Sequence, residues 1–143
     1  MGKIYRYNNC IICGRDNPMG FNMDFISENG AVRGKVTPDR KFEGYGGILH
    51  GGIVSALLDE AMAKALFAVD IVSVTIGINV RFRKPVKIGQ EITVRGEAGS
   101  IKKKVAFASG EILLPDGTIA AESEGKFFIL EGVAKEQMLG ELS

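Results

Sequence analysis

The stretch GGILHGGIVSALLDEAMAKAL, residues 46–66, holds the only histidine of the 143-residue chain, two glycine pairs around it, and an apolar run broken by Asp59-Glu60. From Gly52 to about Val69 the apolar side chains recur at helical spacing: at ~100° per residue Val54, Leu57, Leu58, Ala61, Ala65 and Val69 gather on one side. Glu60 and Lys64 are four apart, which predicts an ion pair at the helix surface. Asp59 has no such partner. Its neighbours three and four residues away are Ser55, Ala56, Met62 and Ala63, none of them a cation. On a helix enclosed by a sheet, such a carboxylate costs free energy and has a raised pKa. Either Asp59 lies on a solvated face or bonds to a neighbouring strand, or it is kept for chemistry.

Working outward, the second decisive segment is Ile71 to Arg83, which alternates strictly. Val72, Val74, Ile76, Ile78, Val80 and Phe82 fall on one face, with Thr75, Gly77 and Asn79 on the other, predicting a long half-buried strand. Before the helix, Phe21–Ile26 and Ala31–Val36 read as strands joined through Asn29-Gly30, a hairpin signal, and 38–47 as a loop. Pro85 ends the long strand. Further strands follow around Ile92 and Val94, from Val105 to Leu114 and from Thr118 to Leu130, with turns at Lys102–Lys104 and Pro115-Asp116-Gly117; a short helical turn or a frayed tail follows Glu131. Six strands and one long helix inserted after the second make an α+β domain with an antiparallel sheet wrapped around the helix.

Composition bounds the function. With 45% hydrophobic residues, 1–143 is the size of a single domain with its own core. Eighteen basic against seventeen acidic residues leave a net charge of +1, which excludes the basic footprint of a nucleic-acid binder. No signal peptide and no run of ~20 apolar residues are present, so a soluble cytoplasmic protein without a membrane partner is expected. Cys10 and Cys13 form one CxxC inside residues 1–20. With His50 they make three potential ligands, one short of a closed zinc site, so metal would need a carboxylate or a second subunit. Asn17, Pro18 and Gly20 follow, which is turn chemistry, and the segment is read as a packed N-terminal loop without metal.

His50, just before the helix, is either a packed or capping residue or a catalytic one. Gly51 and Gly52 suit a helix start, and their bare N–H groups also suit an oxyanion. His50 and Asp59 are nine residues apart, ~13 Å along one helix, too far to act on the same carbon. A catalytic reading therefore needs two chains, with the helix N-terminus of one facing the middle of the other. No GxSxG elbow or phosphate loop offers another route.

FEGYGGILHGGIVSALLDEAMAKAL (42–66), SVTIGINVRFRKPVKIG (73–89) and the leader CIICGRDNPMGFNMDF (10–25) resemble the hot-dog fold acyl-CoA thioesterases, in particular the phenylacetyl-CoA thioesterase-like branch. The resemblance spans nearly the whole chain and implies a sheet wrapped around a central helix, homodimers often paired into tetramers, and hydrolysis of an acyl-CoA with no metal or tightly held cofactor. Carried over by position, the Gly51 N–H polarises the thioester carbonyl beside His50, and Gly52 supports the backbone approach to the substrate. Asp59 of the partner acts as general base or nucleophile, and Thr75 positions water or substrate. Thr75 lies opposite the strand's apolar face, so that role needs a bend at Gly77. Many relatives carry Asn where this chain has Gly44, which leaves that contact to Tyr45 or the backbone, or shifts the substrate range. Arg81, Arg83, Lys84, Lys87 and Lys102–Lys104 read as solvated strand ends, any of which is within CoA's charge preference. The alternatives on the same fold are a non-catalytic acyl-CoA or acyl-ligand binding module and, less well matched, a dehydratase.

Overall fold

A computed structural model describes residues 2–140; Met1 and 141–143 of the expected 1–143 domain lie outside the described residues. The strands are β1 (Ile26–Glu28), β2 (Ala31–Val36), β3 (Ser73–Phe82), β4 (Ile92–Lys102), β5 (Val105–Leu113) and β6 (Ile119–Ile129). Helix α1 (Gly51–Ala68) separates β2 from β3, and α2 (Gly132–Gly140) closes the described chain. The six strands form one antiparallel sheet in the order β1-β2-β4-β5-β6-β3. The chain leaves β2 near one edge, crosses the sheet as α1, and returns as β3 at the other edge. This is the α+β hot-dog arrangement, a sheet curled around one long helix.

One turn follows directly from residue type. Asn29 and Gly30 both have positive φ, 52° and 80°, the backbone that right-handed strand twist demands of a two-residue hairpin loop. They close β1 onto β2 with Glu28 opposite Ala31. At the β4–β5 tip Lys103 takes φ 59°.

The sheet can wrap α1 because glycine lines its inner surface where the helix comes closest. Gly96 and Gly110 face each other across β4 and β5. A Cβ on Gly96 would stand 2.2 Å from the Ala61 carbonyl oxygen, and one on Gly125 2.9 Å from Met62 Sδ. The result is a helix buried on most of its circumference: Leu57, Leu58, Ala61 and Met62 are wholly inaccessible, and Leu66 nearly so. Each large side chain so buried contributes about 1.5–3 kcal/mol relative to exposure.

Four expectations need correction. Phe21 to Phe25 is not strand; only Ile26 of that run pairs, while the Phe21 ring stacks on Phe42 at 3.8 Å. Val69 is the C-cap of α1, half exposed, and not part of its apolar stripe. Lys64 is not at the helix surface, because the N-terminal segment folds over it and leaves it 3% exposed. Finally, the β3 alternation does not persist. Thr75 pairs with Phe127 and Gly77 with Lys126, so Ile76 is an inserted bulge residue that reverses the phase. Val74 and the bulged Ile76 are then turned outward, 38% and 56% exposed in the single chain, whereas Val72 stays buried. The tail resolves in favour of a helix, but α2 buries no side chain.

Gly96→Ala is expected to lower stability by on the order of 1–3 kcal/mol through overpacking against the α1 backbone, read as a fall in Tm. Gly46→Ala, where an added Cβ meets nothing within 4 Å, is the matched control and leaves Tm unchanged.

Candidate active site

The helix start is built by His50. Its backbone is extended, and its Nδ1 accepts a hydrogen bond from the Gly52 N–H at 2.8 Å, so the imidazole serves as the N-cap of α1. The His50 N–H is in turn held by the Phe42 carbonyl at 3.0 Å. Capping consumes the Gly52 donor and leaves the Gly51 N–H without a hydrogen-bond partner among the described residues. Gly51 faces a groove of about 330 Å³ whose walls include Tyr45, Ile48, Val54, Phe82 and Val86. His50 and Gly52 border a second groove of about 330 Å³ with Phe42 and Ile53. A free N–H at the positive end of an 18-residue helix, opening into an apolar groove, is suited to an oxygen that gains negative charge.

Gly44 has a local reason to be glycine. A Cβ there would lie 3.0 Å from His50 Cα and 3.3 Å from its ring carbon Cδ2, crowding the cap. Tyr45, 87% exposed, borders the same groove as Gly51.

Asp59 lies two and a half turns further along α1, beside the edge strand β3. The Thr75 hydroxyl donates to its Oδ1 at 2.7 Å, and no cation contacts it among the described residues. Burial pushes the Asp59 carboxyl up, the Thr75 hydrogen bond partly offsets this, and the neighbouring Glu60 charge adds to the rise. The bulge at Ile76 places Thr75 where it meets the helix, so the bend lies one residue before Gly77. His50, Gly51 and Gly52 thus form one group and Asp59 with Thr75 another. Along one helix the two stay ~13 Å apart.

The CxxC is far from a bland loop. Cys10 Sγ lies 3.5 Å from Glu60 Oε2, Lys64 Nζ lies 3.3 Å from Cys13 Sγ and 3.5 Å from Glu60 Oε2, and Lys64 also donates to the Tyr5 carbonyl. A hydrogen bond from the Cys13 thiol is the main cause that brings Cys10 down to about 7, against burial and the Glu60 charge. The same bond, with burial, pushes Cys13 well above the ordinary thiol range. The sequence offered His50 as a third candidate ligand without bringing it to the cysteines, and left any metal to a carboxylate or a second subunit; the side chains that meet the two sulfurs are Glu60 and Lys64. A further cavity, about 360 Å³, is on the outer sheet face among paired charges such as Arg95 and Glu111, and contains none of these residues.

Comparison with known proteins decides the family. The thioesterase superfamily model matches residues 46–121, more than half of the chain and both groups above. The chain belongs to the thioesterase superfamily. Mouse acyl-coenzyme A thioesterase 13 is 32% identical over 68 residues, covering 46% of this chain and 49% of that one, so the match spans about half the length of that relative. A solved thioesterase superfamily protein superposes with TM-score 0.82 at 24% identity over 85% of this chain and 60% of its own. The E. coli PaaI protein from the phenylacetic acid degradation operon does so with TM-score 0.71 at 22% identity, over 78% of this chain and 82% of its own. These two similarities carry the fold.

A carboxylate that folding desolvates without a cation is a local cost, so its neutral isostere should relieve it. Asp59→Asn is expected to melt no lower than the wild type; a Tm several degrees lower would mean that Asp59 is structural.

Proposed function

We propose that the protein is an acyl-CoA thioesterase whose site is shared between two chains. The observation that carries this reading is the Asp59 carboxylate, desolvated, aimed by Thr75 and left without a cation at the rim of an unpaired sheet edge. The name of the mouse relative, an acyl-coenzyme A thioesterase, supports the substrate class.

The open edge supports a dimer. Among the described residues β3 pairs only with β6, so about half the backbone hydrogen-bonding groups of its ten residues face outward together with exposed Val74, Ile76 and Ile78. A long apolar edge is a liability unless it is covered, and two-fold pairing of β3 with its copy extends the sheet while covering these side chains. Such pairing sets the two α1 helices side by side and antiparallel, with the Gly51 end of one towards Asp59 of the other. Pairing of dimers into a tetramer is compatible with this arrangement.

In the reaction, the thioester carbonyl lies against Gly51 N–H, with the acyl group in the groove beside Phe82 and Val54. Thr75 holds one oxygen of Asp59, leaving the other to take a proton from water as its oxygen bonds to the carbonyl carbon. The electron pair moves to the carbonyl oxygen, stabilised by the Gly51 N–H and the helix dipole. When the intermediate collapses, the C–S bond breaks, and CoA leaves as the thiol with the proton returned from Asp59. His50 acts by fixing the cap, which keeps Gly52 occupied and Gly51 free. Two free thiols, Cys10 and Cys13, fit a reducing cytoplasmic setting.

Release of free thiol from a panel of aromatic, short and medium acyl-CoAs tests this reading. At least one substrate should turn over, and Asp59→Asn should lower kcat by about 10²-fold or more with the oligomer intact. Tight binding without release by the wild type would instead establish a non-catalytic acyl-ligand module.

A further inference from the structure

The thioesterase reading makes no use of the turn Cys10-Ile11-Ile12-Cys13, yet the fold builds it with care. Cys13 N–H donates to Cys10 Sγ at 3.3 Å, and Gly14 N–H closes the turn on the Cys10 carbonyl at 2.8 Å. Only glycine fits after the second cysteine: a Cβ on Gly14 would stand 2.3 Å from the Asn8 carbonyl oxygen and 2.6 Å from the Cys10 N. The turn then presents both sulfurs to the face of α1 that carries Glu60 and Lys64.

We infer that Cys10 Sγ, Cys13 Sγ and Glu60 Oε2 form a binding site for a thiophilic divalent metal ion of the zinc class, with Lys64 as its charge-balancing neighbour. The three ligand atoms lie within 4.8 Å of one another. A tetrahedral ion with bonds of about 2.3 Å to sulfur and about 2.0 Å to oxygen sets those atoms about 3.5 Å apart. Cys10 Sγ and Glu60 Oε2 are separated by 3.5 Å. The three protein donors leave the fourth position to water.

Charge supports the same assignment. With both thiols protonated, Glu60 and Lys64 sum to zero. Binding exchanges the two thiol protons for one divalent ion, and two thiolates, one carboxylate, the ion and the ammonium again sum to zero. Burial of Lys64, 3% exposed, is therefore no obstacle to the ion. Its ammonium, 3.3 Å from Cys13 Sγ and 3.5 Å from Glu60 Oε2, makes N–H contacts of the kind that hold metal ligands in place from behind. A simple buried ion pair explains Glu60 and Lys64 but gives no reason for two sulfurs on the same carboxylate. The ion would fasten the leader, which has no regular element before β1 among the described residues, to the middle of α1.

Cobalt titration of the full chain under anaerobic conditions, with two free thiols per chain verified first, tests the inference. One Co²⁺ per chain should bind with a thiolate-to-cobalt charge-transfer band and tetrahedral visible bands, and Zn²⁺ should displace it. Cys13→Ser should at least halve the charge-transfer band, Cys10→Ser with Cys13→Ser should remove it, and Glu60→Gln should weaken binding by about tenfold or more. Asp59→Asn should leave cobalt binding unchanged, which keeps this outcome separate from that of the thioesterase assay. No charge-transfer band in the reduced wild type, or a band of undiminished intensity in Cys13→Ser, overturns the site. So does closure of a Cys10–Cys13 disulfide by a low-molecular-weight disulfide in a chain that takes up no cobalt, and the wild-type titration decides the matter even if a variant fails to fold.

Discussion

A helix enclosed by sheet on most of its circumference has little room for charge, and α1 carries three ionisable side chains in its middle: Asp59, Glu60 and Lys64. Desolvation of a lone carboxylate costs several kcal/mol unless hydrogen bonds or an opposite charge offset it. The fold meets that constraint in two ways. Glu60 and Lys64 neutralise one another under the N-terminal segment, where the Tyr5 carbonyl and both sulfurs add donors and acceptors. Asp59 receives a single Thr75 hydroxyl and no cation, and its carboxyl stays raised. Adjacent residues thus have opposite fates, and the one left poorly compensated is the one that chemistry can use.

The same enclosure explains the separation of the two halves of the proposed site. Glycine at 96, 110 and 125 draws the helix into the sheet, so only its N-terminus and the flank beside β3 remain open. The N-terminus offers Gly51 N–H to an apolar groove. The open flank offers Asp59, next to an edge strand that still has half its hydrogen-bonding groups to satisfy. A second chain added to that edge would both cover the apolar side chains of β3 and bring the two halves together.

Much of this was legible in the residues. The helical spacing of 54–65, the Asn29-Gly30 turn and the strand pattern of 92–129 give the element order, and the lack of a cation three or four residues from Asp59 singles it out. What periodicity misjudged has a common cause: it reads a residue against its own element only. The β3 alternation ran on past Thr75 because a bulge is invisible without the partner strand. Lys64 looked like a surface residue because nothing in its own helix shows that a leader 50 residues earlier covers it. Counting ligands likewise asked for a carboxylate without naming one, since the Glu60 that meets the cysteines is supplied by tertiary packing.

The central claim is that each site takes its helix N-terminus from one chain and its carboxylate from the other, and complementation measures this directly. Gly51→Pro removes the N–H at the first helical position, where proline is well tolerated and where the extended His50 backbone suits a following proline, and the Cβ it adds stands at ordinary contact distance, 3.6 Å, from the Phe82 ring. It should be inactive alone, as should Asp59→Asn. Coexpressed in equal amounts, they should recover about a quarter of wild-type turnover, because half of the dimers are mixed and each mixed dimer has one of its two sites intact. Mixed dimers that form but show no recovery would place both groups in the same chain and contradict the account.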